Sequence, residues 1–327
     1  MHFRLLRYEL GLIDDALTTR PENEVTQEFG PFSMSNFDLG GVRFGYSSPC
    51  YTWVMKVTGK VAVVTGGGGG IGGALAERLV AEGARVVVSD LDPTSASQVV
   101  TRIDETSPGA SVSLGGDASN ADDISALIAL AEDTYGPVDL YFANAGITGA
   151  PGLEATEADW DLSIDVNLRA HIRAAQQLVP KWLERGEGYF VSTASAAGLL
   201  TQIGSATYST TKHAAVGFAE WMNVTYGDRG IRVSCLCPMG VNTKLLYEGQ
   251  ESGSALGTAA TKAVLAAGDV LEPADVAEVV LAAMDAEQFL ILPHTNVLDM
   301  YRNKGADYDR WLRGMRRYQK ALLGESN

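Results

Sequence analysis

Cysteine is scarce in this chain: 327 residues contain three, Cys50, Cys235 and Cys237. Three is too few, and odd in number, for a disulfide framework. Cys235 and Cys237 alternate along an apolar run, so both face one side of a strand and read as small buried residues. The four histidines, His2, His171, His213 and His294, are scattered. They lack the spacing to one another or to cysteine that a structural metal site uses, and no metal is expected. Long hydrophobic runs are missing as well. No apolar stretch reaches about 18 residues, which excludes a membrane-spanning helix. The opening stretch MHFRLLRYELGLIDDAL interleaves Arg4, Arg7, Glu9, Asp14 and Asp15, so it lacks the apolar core of a secretory signal. Basic runs are also absent, and the formal net charge is −15. That balance argues against nucleic acid or an anionic membrane as the main partner. A reducing, cytoplasmic setting fits these absences.

Glycine, by contrast, is concentrated. VVTGGGGGIGG, residues 63–73, puts seven glycines into eleven positions. Gly inside an element costs roughly 0.5–1 kcal/mol relative to Ala, so something must require close backbone approach there. A flexible linker would not be clamped between the β-branched run Lys60–Thr65 and the helical pattern Ala74–Val80. A buried strand, a Gly turn and a helix N-terminus together make an anion site, because unpaired N–H groups and the helix dipole both favour phosphate.

Residues 1–54 carry Pro21, Pro31 and Pro49 and no sustained period. They read as an N-terminal extension: a disordered or surface-packed arm, a partner-contacting segment, or residues upstream of a natural start at Met55. From Lys60 onward, strand-like runs at 60–65, 85–90, 111–115, 138–142, 188–193, 231–236 and 289–292 alternate with helical patterns. These fall at about 70–82, 93–105, 121–135, 157–185, 206–228 and 273–286. Short apolar strands separated by helices imply a parallel sheet covered on both faces. Right-handed crossovers then give a Rossmann-like, doubly wound α/β fold. The expected organisation is one dinucleotide-binding catalytic domain over 55–294 and a C-terminal helical tail over 295–327. In the tail, Val297, Met300, Tyr301, Tyr308, Trp311, Leu312, Met315 and Leu322 recur at helical spacing.

The stretch Thr65–Gly72 reads T-G-x-x-x-G-x-G. It resembles the cofactor signature of the short-chain dehydrogenase/reductase family, classical type, and the chain from about 56 to 292 is similar to that family throughout. The resemblance implies that Gly66, Gly70, Ile71 and Gly72 lie beside a pyrophosphate and its ribose. It also implies that Asp117, in GGDAS, contacts the adenine amino group, and that Asn144, Ala145 and Gly146, in ANAGI, let backbone lie close to the cofactor. Independently, Asp90 ends the second strand a little over twenty residues after the loop begins. An acidic residue there accepts hydrogen bonds from ribose hydroxyls and repels a 2′-phosphate, so NAD is expected over NADP. Asp92, just before Pro93, is the expected cap of the next helix.

Tyr208 and Lys212 stand four apart at the start of a helical pattern and share a face. Ser195 lies thirteen residues before Tyr208, just beyond the fifth strand. Together with Asn167, in DVNL, and the glycine loop, they match the reacting set of the resembled family. Moving a hydride between an alcohol and a nicotinamide requires a proton to leave or reach the oxygen. A free phenol has a pKa near 10, and a neighbouring ammonium favours phenolate. Tyr208 is therefore expected as general acid/base, with Lys212 lowering its pKa and binding the ribose. Ser195 is expected to hold the substrate oxygen. Ser192 is the alternative hydroxyl donor. By resemblance, Asn167 steadies a water that links Lys212 to solvent. His213 is expected to point to another face.

After the sixth strand the chain reads CLCPMGVNT, where the family usually has Pro-Gly; here Met239 follows Pro238 and Gly240 comes next. Val241 and Thr243 match positions that contact the nicotinamide carboxamide. The small-residue stretch 243–269 reads as a loop, and in the resembled family that segment is a lid over the substrate. Leu199, Leu200, Ile203, Met239, Leu245, Leu246 and Tyr247 would then line an apolar pocket for a hydrophobic secondary alcohol or ketone. The family also implies a homodimer or homotetramer through the helices at 157–185 and 206–228. A nucleotide-sugar epimerase or dehydratase, and a non-catalytic NAD-sensing protein, are the alternatives. The first needs a T-G-x-x-G-x-x-G loop and a larger C-terminal domain. The second is opposed by the joint presence of Ser195, Tyr208, Lys212 and Asn167.

Overall fold

The computed structural model describes residues 56–251 and 253–325. The expected extension at 1–54, Cys50 included, lies outside the described residues. Seven strands form one sheet: β1 Val61–Thr65, β2 Arg85–Asp90, β3 Ser111–Gly115, β4 Leu140–Ala143, β5 Gly188–Thr193, β6 Ile231–Leu236 and β7 Leu290–Ile291. Their order is β3-β2-β1-β4-β5-β6-β7, and every pairing is parallel. All five residues of β1 and all six of β5 are buried, as expected of strands covered on both faces. Alternation splits the aromatic residues between the faces. Phe142 and Tyr189 join one core, while Tyr141, Phe190 and Trp182 join the other. Cys235 and Cys237 are both buried, with sulfurs 3.8 Å apart.

The first helices follow their sequence signals. α1 spans Gly70–Ala81, α2 Pro93–Asp104 and α3 Ala121–Tyr135. The Asp92 carboxylate accepts from the Thr94 N–H, with Pro93 at the first helical position. The pattern expected as one helix over 157–185 is three pieces: α4 Glu157–Ile164, a π turn Asp165–Arg169, and α5 Ala170–Arg185. The Ala170 N–H donates to the Asp165 carbonyl, the wider pairing that marks a π turn. Next come the short α6, Ala197–Leu200, then α7, Ala206–Tyr226.

The loop expected over 243–269 is instead two helices, α8 Lys244–Glu251 and α9 Ala255–Ala266. Its glycines mark helix contact: a Cβ on Gly249 would meet the Gly257 carbonyl oxygen at 2.7 Å. The chain ends with α10 Pro273–Asp285, β7, α11 Asn296–Ala306 and α12 Tyr308–Leu323. The tail packs on its own domain. α12 sets Met315, Tyr318, Leu322 and Leu323 against Ile203, Ala259 and Ala263. Among the described residues no helix is long and apolar enough to cross a membrane.

Packing is tight between β1 and the start of α1. A Cβ on Gly72 would meet the Gly66 carbonyl oxygen at 2.2 Å and Asn144 Nδ2 at 2.6 Å. Gly72→Ala is therefore expected to destabilise the chain by about 1–3 kcal/mol, the usual cost of forcing an extra carbon into a packed site. Gly69→Ala meets nothing within 4 Å and should change stability far less. Urea unfolding of both variants measures the difference.

Candidate active site

β1 pairs with β2 on one side and β4 on the other, so successive connections leave the sheet in opposite directions. A crevice opens at the carboxyl ends of β1 and β4. Gly66 takes φ +62° there, and a Cβ on it would meet the Ala145 Cα at 2.9 Å. Gly70 takes φ +51°, with the Thr243 methyl 3.0 Å from where its Cβ would be. Thr65 holds the turn: its hydroxyl donates to the Phe142 carbonyl at 3.1 Å and accepts from the Asn144 and Ala145 N–H groups. The α1 N-terminus has no side-chain cap, so its first N–H groups remain available for an anion.

A cleft of 590 Å³ occupies this crevice. Of the sequence-derived residues it is lined by Gly66, Gly70, Ile71, Asp90, Asn144, Ala145, Gly146, Ser195, Tyr208, Lys212, Val241 and Thr243. Gly72 is not among them, because it faces the Gly66 carbonyl instead. Asp117 is also outside the lining, and its Oδ1 accepts from the Ser119 N–H and hydroxyl. Asn167 is fully buried beneath the cleft. It accepts from the Ile147 N–H and donates to the Ile147 carbonyl and Thr211 hydroxyl. The π turn therefore aims the Asn167 side chain at the β4 loop. Gly146 sits against both Asn167 Oδ1 and Lys212 Nζ, each 3.2 Å from where its Cβ would be.

Asp90 Oδ2 accepts from the Gly68 N–H at 2.9 Å and Oδ1 from the Asp92 N–H at 3.1 Å. A carboxylate has about four acceptor positions, so capacity for two further donors remains. The cradle that a Cβ would fill, the uncapped helix start and this acidic residue all fit a dinucleotide.

The residues expected to react lie together at the cleft. Ser205 caps α7 by accepting from the Tyr208 N–H, and its hydroxyl donates to the Thr148 carbonyl. That fixes the helix start at the cleft floor. One and a bit turns on, Lys212 lies with its Nζ 5.7 Å from the Tyr208 ring centre and donates to the Thr193 carbonyl at 2.9 Å. The Ser195 hydroxyl accepts from the Ala197 N–H at 3.1 Å. It lies close enough to the Tyr208 phenol to lower its pKa through a hydrogen bond. Burial outweighs that contact and pushes the phenol up, with smaller upward contributions from Cys237 and the Glu248 charge. The expected lowering by Lys212 is thus absent from the chain alone. Burial instead pushes the Lys212 ammonium down to about 8.

Ser192 is fully buried and bonds His171 Nδ1 at 2.9 Å, away from the cleft. This removes it as the substrate donor. Burial, then the Lys212 charge, holds His171 down at about 3, so it is neutral. His213 bonds the Ser209 carbonyl and is outside the cleft lining. Of the expected apolar wall, Met239, Leu245 and Leu246 line the cleft. Leu199, Leu200 and Ile203 are core residues, and Tyr247 is not in the wall. Thr148, Gln202, Glu248, Ala260 and Val264 also line the cleft. Sequence reasoning missed these because the segment carrying the last three was read without helical periodicity.

The Met239 departure has a structural partner. Buried His294 accepts from the Met239 N–H through Nδ1 at 3.2 Å and donates to the Gly240 carbonyl through Nε2 at 3.0 Å. Those partners fix its tautomer.

Strand order, glycine turn and switch-point cleft define a dinucleotide-binding α/β protein. The family model described as short chain dehydrogenase matches residues 60–253. Cyclohexanol dehydrogenase of Acinetobacter sp. (strain SE19) is 35% identical over 206 residues, 60% of this chain and 79% of that protein. Momilactone A synthase of Oryza sativa subsp. japonica is 37% identical over 193 residues, 58% of this chain and 69% of that one. The solved structure of a short-chain dehydrogenase/reductase from Burkholderia phymatum in complex with NAD has TM-score 0.70 at 30% identity, covering 78% of this chain and 95% of that chain. The chain belongs to the short-chain dehydrogenase/reductase family of oxidoreductases.

The depressed Lys212 pKa carries a stability signature. Below about pH 8 the buried ammonium is charged in both folded and unfolded chains, and its desolvation opposes folding. Between about 8 and the ordinary lysine value of 10.5 the unfolded chain binds more protons, so this penalty fades as pH rises. Lys212→Met removes the charge. Its stability relative to wild type should fall by about 2 kcal/mol between pH 7 and pH 10, measured by urea unfolding at both pH values.

Proposed function

We propose that this chain is an NAD-dependent alcohol dehydrogenase or carbonyl reductase acting on a secondary alcohol or ketone. The observation that carries the reading is one cleft bounded by the Ser195 hydroxyl, the Tyr208 phenol and the Lys212 ammonium, continuous with the glycine turn and Asp90. Bound at that turn, NAD⁺ supplies a positively charged ring that accepts a hydride. Ser195 holds the substrate oxygen by a hydrogen bond and stabilises charge developing on it. Tyr208 Oη takes the hydroxyl proton while the carbinol C–H bond breaks with its electron pair leaving as hydride; the reverse transfers give reduction. Lys212 orients the phenol face-on and holds the ribose. Because burial keeps the phenol high in the chain alone, positive charge beside it is what favours the phenolate. Asn167 acts as a positioning residue, pinning the Ile147 segment against Lys212.

Asp90 supports NAD as the cofactor. Its two remaining acceptor positions suit ribose hydroxyls, and its charge opposes a 2′-phosphate. The cations of the cleft wall, Lys212 and Lys244, are not on the Asp90 loop. Exposed Leu162 on α4 and Trp221 and Val224 on α7 support assembly into a homodimer or homotetramer through those helices, and a cytoplasmic enzyme fits the sequence.

With NAD⁺ and a panel of secondary alcohols, followed by nicotinamide absorbance, turnover is expected in the wild type. Tyr208→Phe should lower kcat by about 10²–10⁴-fold and Ser195→Ala by about 10²–10³-fold. Unchanged kcat in Tyr208→Phe overturns the mechanism. Wild type should prefer NAD⁺ to NADP⁺ in kcat/KM, and Asp90→Ala should narrow that preference; an initial preference for NADP⁺ overturns the cofactor assignment.

A further inference from the structure

The cleft wall contributed by α8 and the segment after β4 is not purely apolar. Glu248 Oε2 accepts from the Thr148 hydroxyl at 3.0 Å. Among the described residues no bond engages Glu248 Oε1. Gln202 lines the same cleft, and its Nε2 donates to the Ile203 and Ala260 carbonyls at 3.2 and 3.3 Å. Both its amide hydrogens are thereby occupied, which fixes the amide orientation and leaves Oε1 as the free group. Apart from Lys244, an exposed cation at the start of α8, the groups left over beside Glu248 are acceptors, and the Thr148 proton is already committed to Glu248.

Resting on the dehydrogenase reading above, we propose that Glu248, positioned by Thr148 and joined by Gln202, forms a second substrate subsite that binds a hydroxyl group remote from the carbinol being oxidised. The substrate class is then a diol or hydroxyketone. A substrate apolar over its whole length would cover the carboxylate without giving it a donor, which is costly. A carboxylate or phosphate set against Glu248 itself would face a like charge, one turn of α8 away from the Lys244 cation. A hydroxyl gives Glu248 its donor while remaining neutral, so it passes Leu245, Leu246 and Val264 without dehydrating a cation. The Glu248 charge is close enough to act on the Tyr208 phenol, which places the subsite within the cavity where the reaction occurs.

Three probes separate the cases with the wild-type chain: cyclohexane-1,4-diol, its monomethyl ether 4-methoxycyclohexanol, and cyclohexanol. The ether keeps the oxygen and loses the donor. Turnover with NAD⁺ is read by nicotinamide absorbance, and binding to the chain–NADH complex by NADH fluorescence. The diol should exceed its methyl ether in kcat/KM, and in affinity, by about tenfold, the scale of one hydrogen bond to a charged acceptor. In Glu248→Gln and Glu248→Ala the diol-to-ether ratio should approach one. Equal wild-type values for diol and ether overturn the subsite while leaving the dehydrogenase reading standing. Diol-selective binding with no turnover of any probe keeps the subsite and overturns the dehydrogenase reading. No binding of any probe overturns the subsite.

Discussion

Asn144 is the tie on which the site hangs. Its side-chain amide donates to the Thr65 and Gly66 carbonyls, its side-chain oxygen accepts from the Thr193 hydroxyl, and its backbone N–H donates to the Thr65 hydroxyl. One residue thus joins the carboxyl ends of β1, β4 and β5. Those ends carry the glycine turn, the Ala145–Gly146 backbone and the segment leading to Ser195. Each bond contributes modestly, about 1 kcal/mol, but the half-buried Asn144 amide makes several at once. The crevice between β1 and β4 follows from topology; its width follows from Asn144 and from the missing side chains at Gly66 and Gly72.

Burial dominates the electrostatics of this site. It raises the Tyr208 phenol, lowers the Lys212 ammonium and holds His171 neutral. In each case the uncharged form gains, because a charged group loses hydration there and finds no fixed counter-ion to repay it. Glu248 adds negative charge near the phenol and Ser195 a hydrogen bond that opposes it. The chain on its own therefore holds the phenol in its neutral form, and positive charge brought beside it would favour the opposite form.

The elements were legible where local signals agreed. β-branched runs marked the strands, and Asp92–Pro93 marked the start of α2. Tyr208 and Lys212 declared their shared face by spacing alone. The π turn at 165–169 was not legible: the partner its Asn167 side chain meets, Ile147, is twenty residues away in sequence. Helices α8 and α9 were hidden for a related reason. Gly249 reads as a breaker along the chain, but in space it is the point where α8 lies against α9. His294 carries no motif, and its partners Met239 and Gly240 lie more than fifty residues upstream. Ser192 and Ser195 could not be separated by spacing; the strand pleat sends the first to His171 and leaves the second at the cleft.

Sequence order and motif spacing were enough for the doubly wound class and the glycine turn with its acidic partner, and they singled out Ser195, Tyr208 and Lys212, which the fold brings to one cleft. Each of these depends on periodicity or on residue types within a few turns of chain. Folding decided which residues share the cleft, which hydroxyl reaches it, that desolvation rather than Lys212 governs the free phenol, and that a carboxylate stands in a wall expected to be apolar. Those outcomes depend on distances between segments far apart in the chain and on how much water each group loses, and neither quantity is written in any local pattern.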